Sequence, residues 1–154
     1  MNSDKDIVIT SAFRTPIGSF QGSLKDHKAT ELGTAVVKKC MEHSNLNGSE
    51  VDTVILGQVL QTGCGQNPAR QAAINSGIDK DKTATTINQV CGSGLAAVTL
   101  GFNSLKLNDT NIVIAGGQES MTNSPHYLNY RMEKNLNEEK LKGSMLIDGL
   151  IDAY

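Results

Sequence analysis

Cys91 is the residue of this chain best placed for covalent chemistry. It lies in the run Thr83-Ala84-Thr85-Thr86-Ile87-Asn88-Gln89-Val90-Cys91-Gly92-Ser93-Gly94-Leu95-Ala96-Ala97-Val98. A β-branched stretch leads in, small residues surround the thiol, and an apolar helical pattern follows. Backbone amides at a helix N-terminus point at such a sulfur and favour its thiolate, the form that attacks carbonyl carbon. The glycines after it let a substrate approach the backbone closely. Cysteine is also a common small core filler, so the local pattern leaves two readings open, nucleophile or packing. Cys40 falls in an amphipathic helical pattern and reads as packing. Cys64, between Gly63 and Gly65, is a loop thiol.

Other reactive types are sparse. His27 sits in a polar loop, His43 ends an amphipathic helix, and His126 follows Pro125. No phosphate-cradling glycine loop, metal-ligand cluster or pair of carboxylates is apparent. The expectation is therefore chemistry without a resident cofactor or metal.

The elements that must position Cys91 follow from periodicity. Residues 6–10 (Asp-Ile-Val-Ile-Thr) read as a short buried strand, followed by a loop to about Lys28. Thr30 can cap a helix in which Leu32, Val36 and Cys40 recur every fourth residue, beside Ala35. Asn47-Gly48 breaks it, and residues 53–60 read as a second strand. Pro68 suits the first turn of a helix over 69–75, which Gly77 closes. Residues 83–87 form a third strand and 111–116 a fourth.

In the helix after Cys91, Leu95, Val98, Phe102 and Leu105 make one apolar stripe. Ala96, Ala97, Leu100 and Gly101 cover most of the rest. A helix apolar nearly all round is expected to be buried. Strands and helices alternating through short connections predict an α/β chain with a mostly parallel sheet and helices on its faces.

Composition bounds the rest. At 154 residues, 38% hydrophobic and 19% charged, the chain has room for one domain with a real core. A formal net charge of −2 gives no electrostatic case for nucleic acid or an anionic membrane. No apolar run is long enough to span a bilayer. The polar start, Met1-Asn2-Ser3-Asp4-Lys5-Asp6, lacks the apolar stretch of a secretory signal. Three cysteines without paired spacing suggest no disulfide framework. A cytoplasmic protein fits all of this. Residues 123–143 are polar with alternating charges, as in a solvated face or excursion. The final Asp148-Gly149-Leu150-Ile151-Asp152-Ala153-Tyr154 carries no stop signal and reads as an interruption.

Four stretches together resemble the thiolase family, most closely its short-chain bacterial members. They are Asn88-Gln89-Val90-Cys91-Gly92-Ser93-Gly94, Arg14-Thr15-Pro16-Ile17-Gly18-Ser19-Phe20, Gly65-Gln66-Asn67-Pro68-Ala69-Arg70-Gln71-Ala72-Ala73 and Gly116-Gly117-Gln118-Glu119-Ser120-Met121-Thr122. The resemblance implies the layered thiolase fold: an N-terminal mixed sheet with helices on both faces, incomplete here, and the nucleophile's helix buried between layers. It implies an N-terminal domain over residues 1–120 and the start of a loop domain over 121–154.

It further implies an acetyl-CoA C-acetyltransferase in which Cys91 takes the acyl group. Acetyl-CoA and acetoacetyl-CoA would be substrates rather than cofactors, and the full-length protein a homodimer or homotetramer. The family's activating histidine and second cysteine come from a C-terminal half with no match here. A longer-chain 3-ketoacyl-CoA thiolase and a non-catalytic truncated fragment are the alternatives. Gln66, Asn67 and Arg70 could line a neighbouring subunit's pocket, with stabilisation of the Pro68 helix start the favoured role. Gly116 and Gly117 are expected to allow tight packing at a strand end. Glu119 is expected to be a buried hydrogen-bonding group.

Overall fold

The computed structural model describes residues 6–132 and 141–154. Met1 to Lys5, and residues 133–140 of the charged run, lie outside the described residues. The centre is a three-stranded parallel sheet of β1 (Thr53–Gly57), β2 (Thr83–Ile87) and β3 (Val113–Gly117), in the order β2-β1-β3. β1 is buried at every position. The sheet is sandwiched by α1 (Ala29–His43) and α2 (Pro68–Asn75) on one face and α3 (Ser93–Lys106) on the other. This is the expected α/β arrangement. Among the described residues, antiparallel pairing is confined to a small ribbon of β4 (His126–Tyr127) and β5 (Lys142–Gly143).

Strand alternation sorts the two faces. Val54 and Leu56 pack with Val37, Met41, Ala69, Ala72 and Ala73 under α1 and α2, and Ile114 joins them. Val113 and Ala115 point the other way, onto α3. Each strand serves two layers, as parallel strands with helices on both sides do.

Several boundaries differ from the sequence expectation, each for a local reason. α1 starts one residue before Thr30, because extended Lys28 is the cap position and its amide donates to the Glu31 carboxylate at 3.0 Å. Its buried line is Thr30, Gly33, Val37 and Met41, one residue over from Leu32, Val36 and Cys40, which stay half-buried; Ala35 is exposed. The helix ends before Asn47-Gly48: Asn45 takes a left-handed conformation and the Leu46 amide reaches back to the Met41 carbonyl at 3.0 Å. β1 stops at Gly57, short of residue 60, because the next amides find other acceptors. Gln58 N–H donates to the Ile87 carbonyl, and Val59 N–H to the Glu119 carboxylate. β3 starts at Val113 because Asn111 and Ile112 give their amides to the Asp52 carboxylate, at 2.7 and 3.1 Å. β2 and α2 lie where the sequence puts them, with Pro68 opening α2 and left-handed Gly77 following it.

Two expectations fail. Residues 6–10 form no strand, and Val8 and Ile9 are 70% and 81% exposed. Among the described residues no strand offers them a ladder. On α3 the buried residues are the small ones, Ser93, Ala97 and Gly101. Leu95 is 74% exposed, and Val98, Leu100 and Phe102 are exposed too. The cause is close approach. Gly101 lies so near β3 that a methyl group there would stand 2.9 Å from Val113 Cγ1. Backbone-to-backbone packing turns the small line inward and leaves the large residues outward. The second layer expected over this helix is not among the described residues.

Candidate active site

The C-terminal ends of β1 and β3 and the start of α3 converge on a cavity of about 430 Å³. It is lined by Gly57, Gln58 and Gly117 from the strand ends, by Val90, Cys91, Ser93 and Gly94 around the start of α3, and by the apolar side chains of Met121, Met145 and Leu150. Crevices outside the carboxyl ends of parallel strands are the usual ligand sites of such sheets. The positive end of the α3 dipole falls on the same lining.

Cys91 stands where the sequence reading places it, exposed and free, between the end of β2 and Gly92, the N-cap of α3. The turn that carries it is unusual. Val90 has φ +50°, in the left-handed region that a β-branched residue rarely occupies. Buried Ser93 straps the turn. Its Oγ accepts from Gln89 N–H at 2.8 Å and donates to the Val90 carbonyl at 2.6 Å. Asn88 Oδ1 accepts from Val90 N–H at 2.9 Å, while Asn88 Nδ2 donates to the Val59 carbonyl at 3.4 Å.

Glu119 closes the circuit behind this turn. Its carboxylate accepts from Val59 N–H at 2.8 Å and, more weakly, from Leu60 N–H. Desolvation by burial pushes its carboxyl above the ordinary range, opposed by the amides of Val59, Leu60 and Ser120. Glu119 hydrogen-bonds as expected, but it is half-buried rather than buried and borders the cavity. Beneath it, Gln118 Nε2 donates to Gln58 Oε1 at 2.9 Å, and Gln58 Nε2 donates to the Leu60 carbonyl at 2.8 Å.

The remaining candidates make local contacts within the chain. Asn67, itself left-handed, caps α2 by accepting from Arg70 N–H at 3.2 Å and holds Ala84 and Thr86 of β2. The Arg70 guanidinium is spent on the Lys80 and Lys82 carbonyls. The Gln66 carbonyl accepts from Gln71 Nε2. None of these residues borders the cavity, nor does any histidine among the described residues. His27 is 3.7 Å from Glu31, His43 meets the Phe13 ring edge-on at 5.2 Å, and His126 lies in β4. Cys40 and Cys64 are half-buried, with Cys64 Sγ accepting from Gln58 Nε2 at 3.3 Å. Gly117 lies against Gly57 and Gly94, as tight strand-end packing requires, whereas Gly116 has open space where a side chain would be.

Residues 7–154 match the family model described as "Thiolase, N-terminal domain". The chain belongs to the thiolase family. Among curated relatives, a probable acetyl-CoA acetyltransferase of Escherichia coli K12 is 50% identical over 97% of this chain. An acetyl-CoA acetyltransferase of Pseudomonas aeruginosa is 48% identical, also over 97%. The solved structure of the Acat5 thiolase from Ascaris suum in complex with coenzyme A superposes with a TM-score of 0.89 at 38% identity, covering 97% of this chain. This chain spans 38% of each of the two bacterial relatives and 39% of the Ascaris thiolase chain. That likeness establishes the thiolase fold for the region described. Among the described residues no helix is long and apolar enough to cross a membrane.

Two residues of the site, Asn88 and Ser93, carry no signal in the sequence beyond being neighbours of the cysteine. Their work depends on the left-handed Val90, for which no glycine or asparagine at that position gave a signal.

Proposed function

We propose that this chain is the nucleophile-bearing part of an acetyl-CoA C-acetyltransferase, with Cys91 as the acyl acceptor. The observation that carries this is the exposed Cys91 thiol at the start of α3, on the wall of a cavity at the strand ends. In thiolysis, the Cys91 sulfur attacks the ketone carbonyl of acetoacetyl-CoA. The bond between that carbon and the α-carbon breaks, and the departing enolate takes a proton to become acetyl-CoA. The acetyl group left on sulfur then passes to the thiol of a second CoA. A thiolate suits both steps because it is strongly nucleophilic and exchanges readily with another thioester sulfur. The reaction uses CoA thioesters as substrates and needs no further cofactor.

The histidine that activates Cys91 and the cysteine that moves the α-proton belong, on this reading, to the further length that the relatives possess. Leu95, Val98 and Phe102 on the outer face of α3 support it, since a continuous apolar stripe calls for cover. Residues 1–120 and 121–154 are then the N-terminal domain and the start of a loop domain. The whole protein is a cytoplasmic homodimer or homotetramer.

A relative in Staphylococcus epidermidis, 48% identical over 96% of this chain, bears the broader name probable acetyl-CoA acyltransferase. It favours a longer-chain 3-ketoacyl-CoA thiolase as the second reading. The test is an intact-mass spectrum of the chain before and after acetoacetyl-CoA, with Cys91→Ala alongside. One acetyl group gained only when Cys91 is present is the expected result; uptake by the alanine variant overturns the assignment. A series of 3-ketoacyl-CoA chain lengths separates the two readings.

A further inference from the structure

We infer that Asn88 and Ser93 are positioning residues that hold Val90 in its left-handed conformation and thereby aim Cys91 into the cavity. This rests on the reading of Cys91 as acyl acceptor and deepens it.

A left-handed backbone costs an L-residue about 1–2 kcal/mol, and a β-branched one is a true outlier there. Such a conformation persists only where the surroundings over-determine it. Here they do, from the two peptide units on either side of the Val90 Cα. Asn88 Oδ1 takes the Val90 N–H, and the Ser93 hydroxyl and amide, at 2.6 and 3.1 Å, both reach the Val90 carbonyl. The Ser93 Oγ uses its acceptor capacity on Gln89 N–H, so one hydroxyl bridges the residues on either side of the turn. Ser93 is 4% exposed and packs on Gly57, which fixes it to the sheet. Asn88 is tied through Val59 to the Glu119 carboxylate, which fixes the other side to β1 and β3. Cys91 is the next residue along. Rotation of Val90 toward an ordinary backbone conformation would displace Cys91 from its place in the cavity lining.

The two side chains therefore act through Val90, and that makes the proposal separable from simple structural support. Glycine adopts a left-handed backbone about as readily as a right-handed one. A turn with glycine at position 90 needs less holding. The rate of Cys91 acetylation by acetoacetyl-CoA is measured by mass for the full chain, for Ser93→Ala, for Asn88→Ala, and for each combined with Val90→Gly. Val90→Gly alone is the reference.

Each alanine variant is expected to acetylate about tenfold or more slowly, since misplacement near 1 Å already costs up to about a hundredfold. Adding Val90→Gly is expected to bring each back to within about threefold of the reference. Wild-type rates in both alanine variants, or no recovery on adding glycine, overturn the proposal. Amide exchange is read in parallel. Ser93→Ala should speed exchange at Gln89, and Asn88→Ala at Val90, with Ala97 and Gly101 of α3 unchanged. Loss of protection along α3 as well would mean that these side chains support the helix rather than the turn, and also overturns it. If the wild-type chain takes up no acetyl group, acetylation requires the further length that the relatives possess, and the exchange arm alone decides whether the turn is held as described.

Discussion

The approach of α3 to β1 is tight enough to set the position of Cys91, and Gly57→Ala measures it. A methyl group on Gly57 would lie 2.5 Å from both the carbonyl carbon and the Cβ of Ser93, and 2.7 Å from Gly94 N. Carbon atoms pack best at about 3.5–4.0 Å. The helix start and the strand must therefore separate by about 1 Å, and a rotamer change cannot supply the room because two of the three atoms are backbone. Overpacking of this kind costs about 1–3 kcal/mol. For a chain of this size that is a fall in Tm of roughly 3–10 °C. The displaced segment is the one that carries Cys91, so acetylation should slow by one to two orders of magnitude, in proportion to a shift near 1 Å. Gly116→Ala is the matched control: it introduces the same methyl group on the same sheet, but nothing lies within 4 Å of it. Thermal unfolding and acetylation by mass are compared for both. The reasoning is refuted if Gly57→Ala unfolds within 2 °C of Gly116→Ala and is acetylated at the same rate.

Gly33→Ala places its methyl group onto Gln118 Oε1, so the Gln118–Gln58 pair must break or α1 must lift. A loss of about 1–3 kcal/mol in denaturant unfolding is expected, and a neutral result would show that the amide pair yields freely. The Asp52 carboxyl is held below its ordinary value chiefly by the Asn111 and Ile112 amides. Its stabilisation is complete above the unfolded pKa and is lost as pH falls through the lower folded value. Wild type should thus exceed Asp52→Asn by about 1 kcal/mol near neutrality, solvent screening included. That gap should close below about pH 4; a gap independent of pH would contradict the assignment. Glu119 behaves in the opposite sense, because burial raises its carboxyl. The stability of wild type relative to Glu119→Gln should decline as pH rises from about 4 through the raised value toward neutrality. A difference that grows over that range would remove Glu119 from the half-buried position described.

The sequence carried most of the strand and helix order because its punctuation is local. Pro68 and Gly77 bracket α2, and the β-branched residues 83–87 are β2 without adjustment. Periodicity failed where a helix is apolar on every side. The residues of α3 identify a helix, yet nothing in their spacing says that Ala97 and Gly101, rather than Leu95 and Phe102, meet the sheet. That choice is made by the closeness of Gly57 and Val113, which is a tertiary fact. Residues 6–10 show the complementary failure: a strand-like composition becomes a strand only where an edge receives it. At the site, Cys91 was legible from its type and neighbours. The strap around Val90 was not, because a valine there argues against the very conformation it adopts.

The small-residue contact between α3 and the sheet has a consequence for how precisely the thiol is located. Where two elements meet through long side chains, every rotamer transition at the seam changes their spacing, and the jitter travels to whatever they carry. Gly57, Gly94 and Gly117 have no rotamers, and Ala97 has none that move heavy atoms. The seam that locates Cys91 is thereby largely free of rotamer changes, while Met121, Met145 and Leu150, which also line the cavity, retain theirs. One part of the site behaves as a fixed datum and another as a compliant surface. Substitutions at Met121, Met145 or Leu150 can accordingly reshape the cavity with the Cys91 thiol left in register.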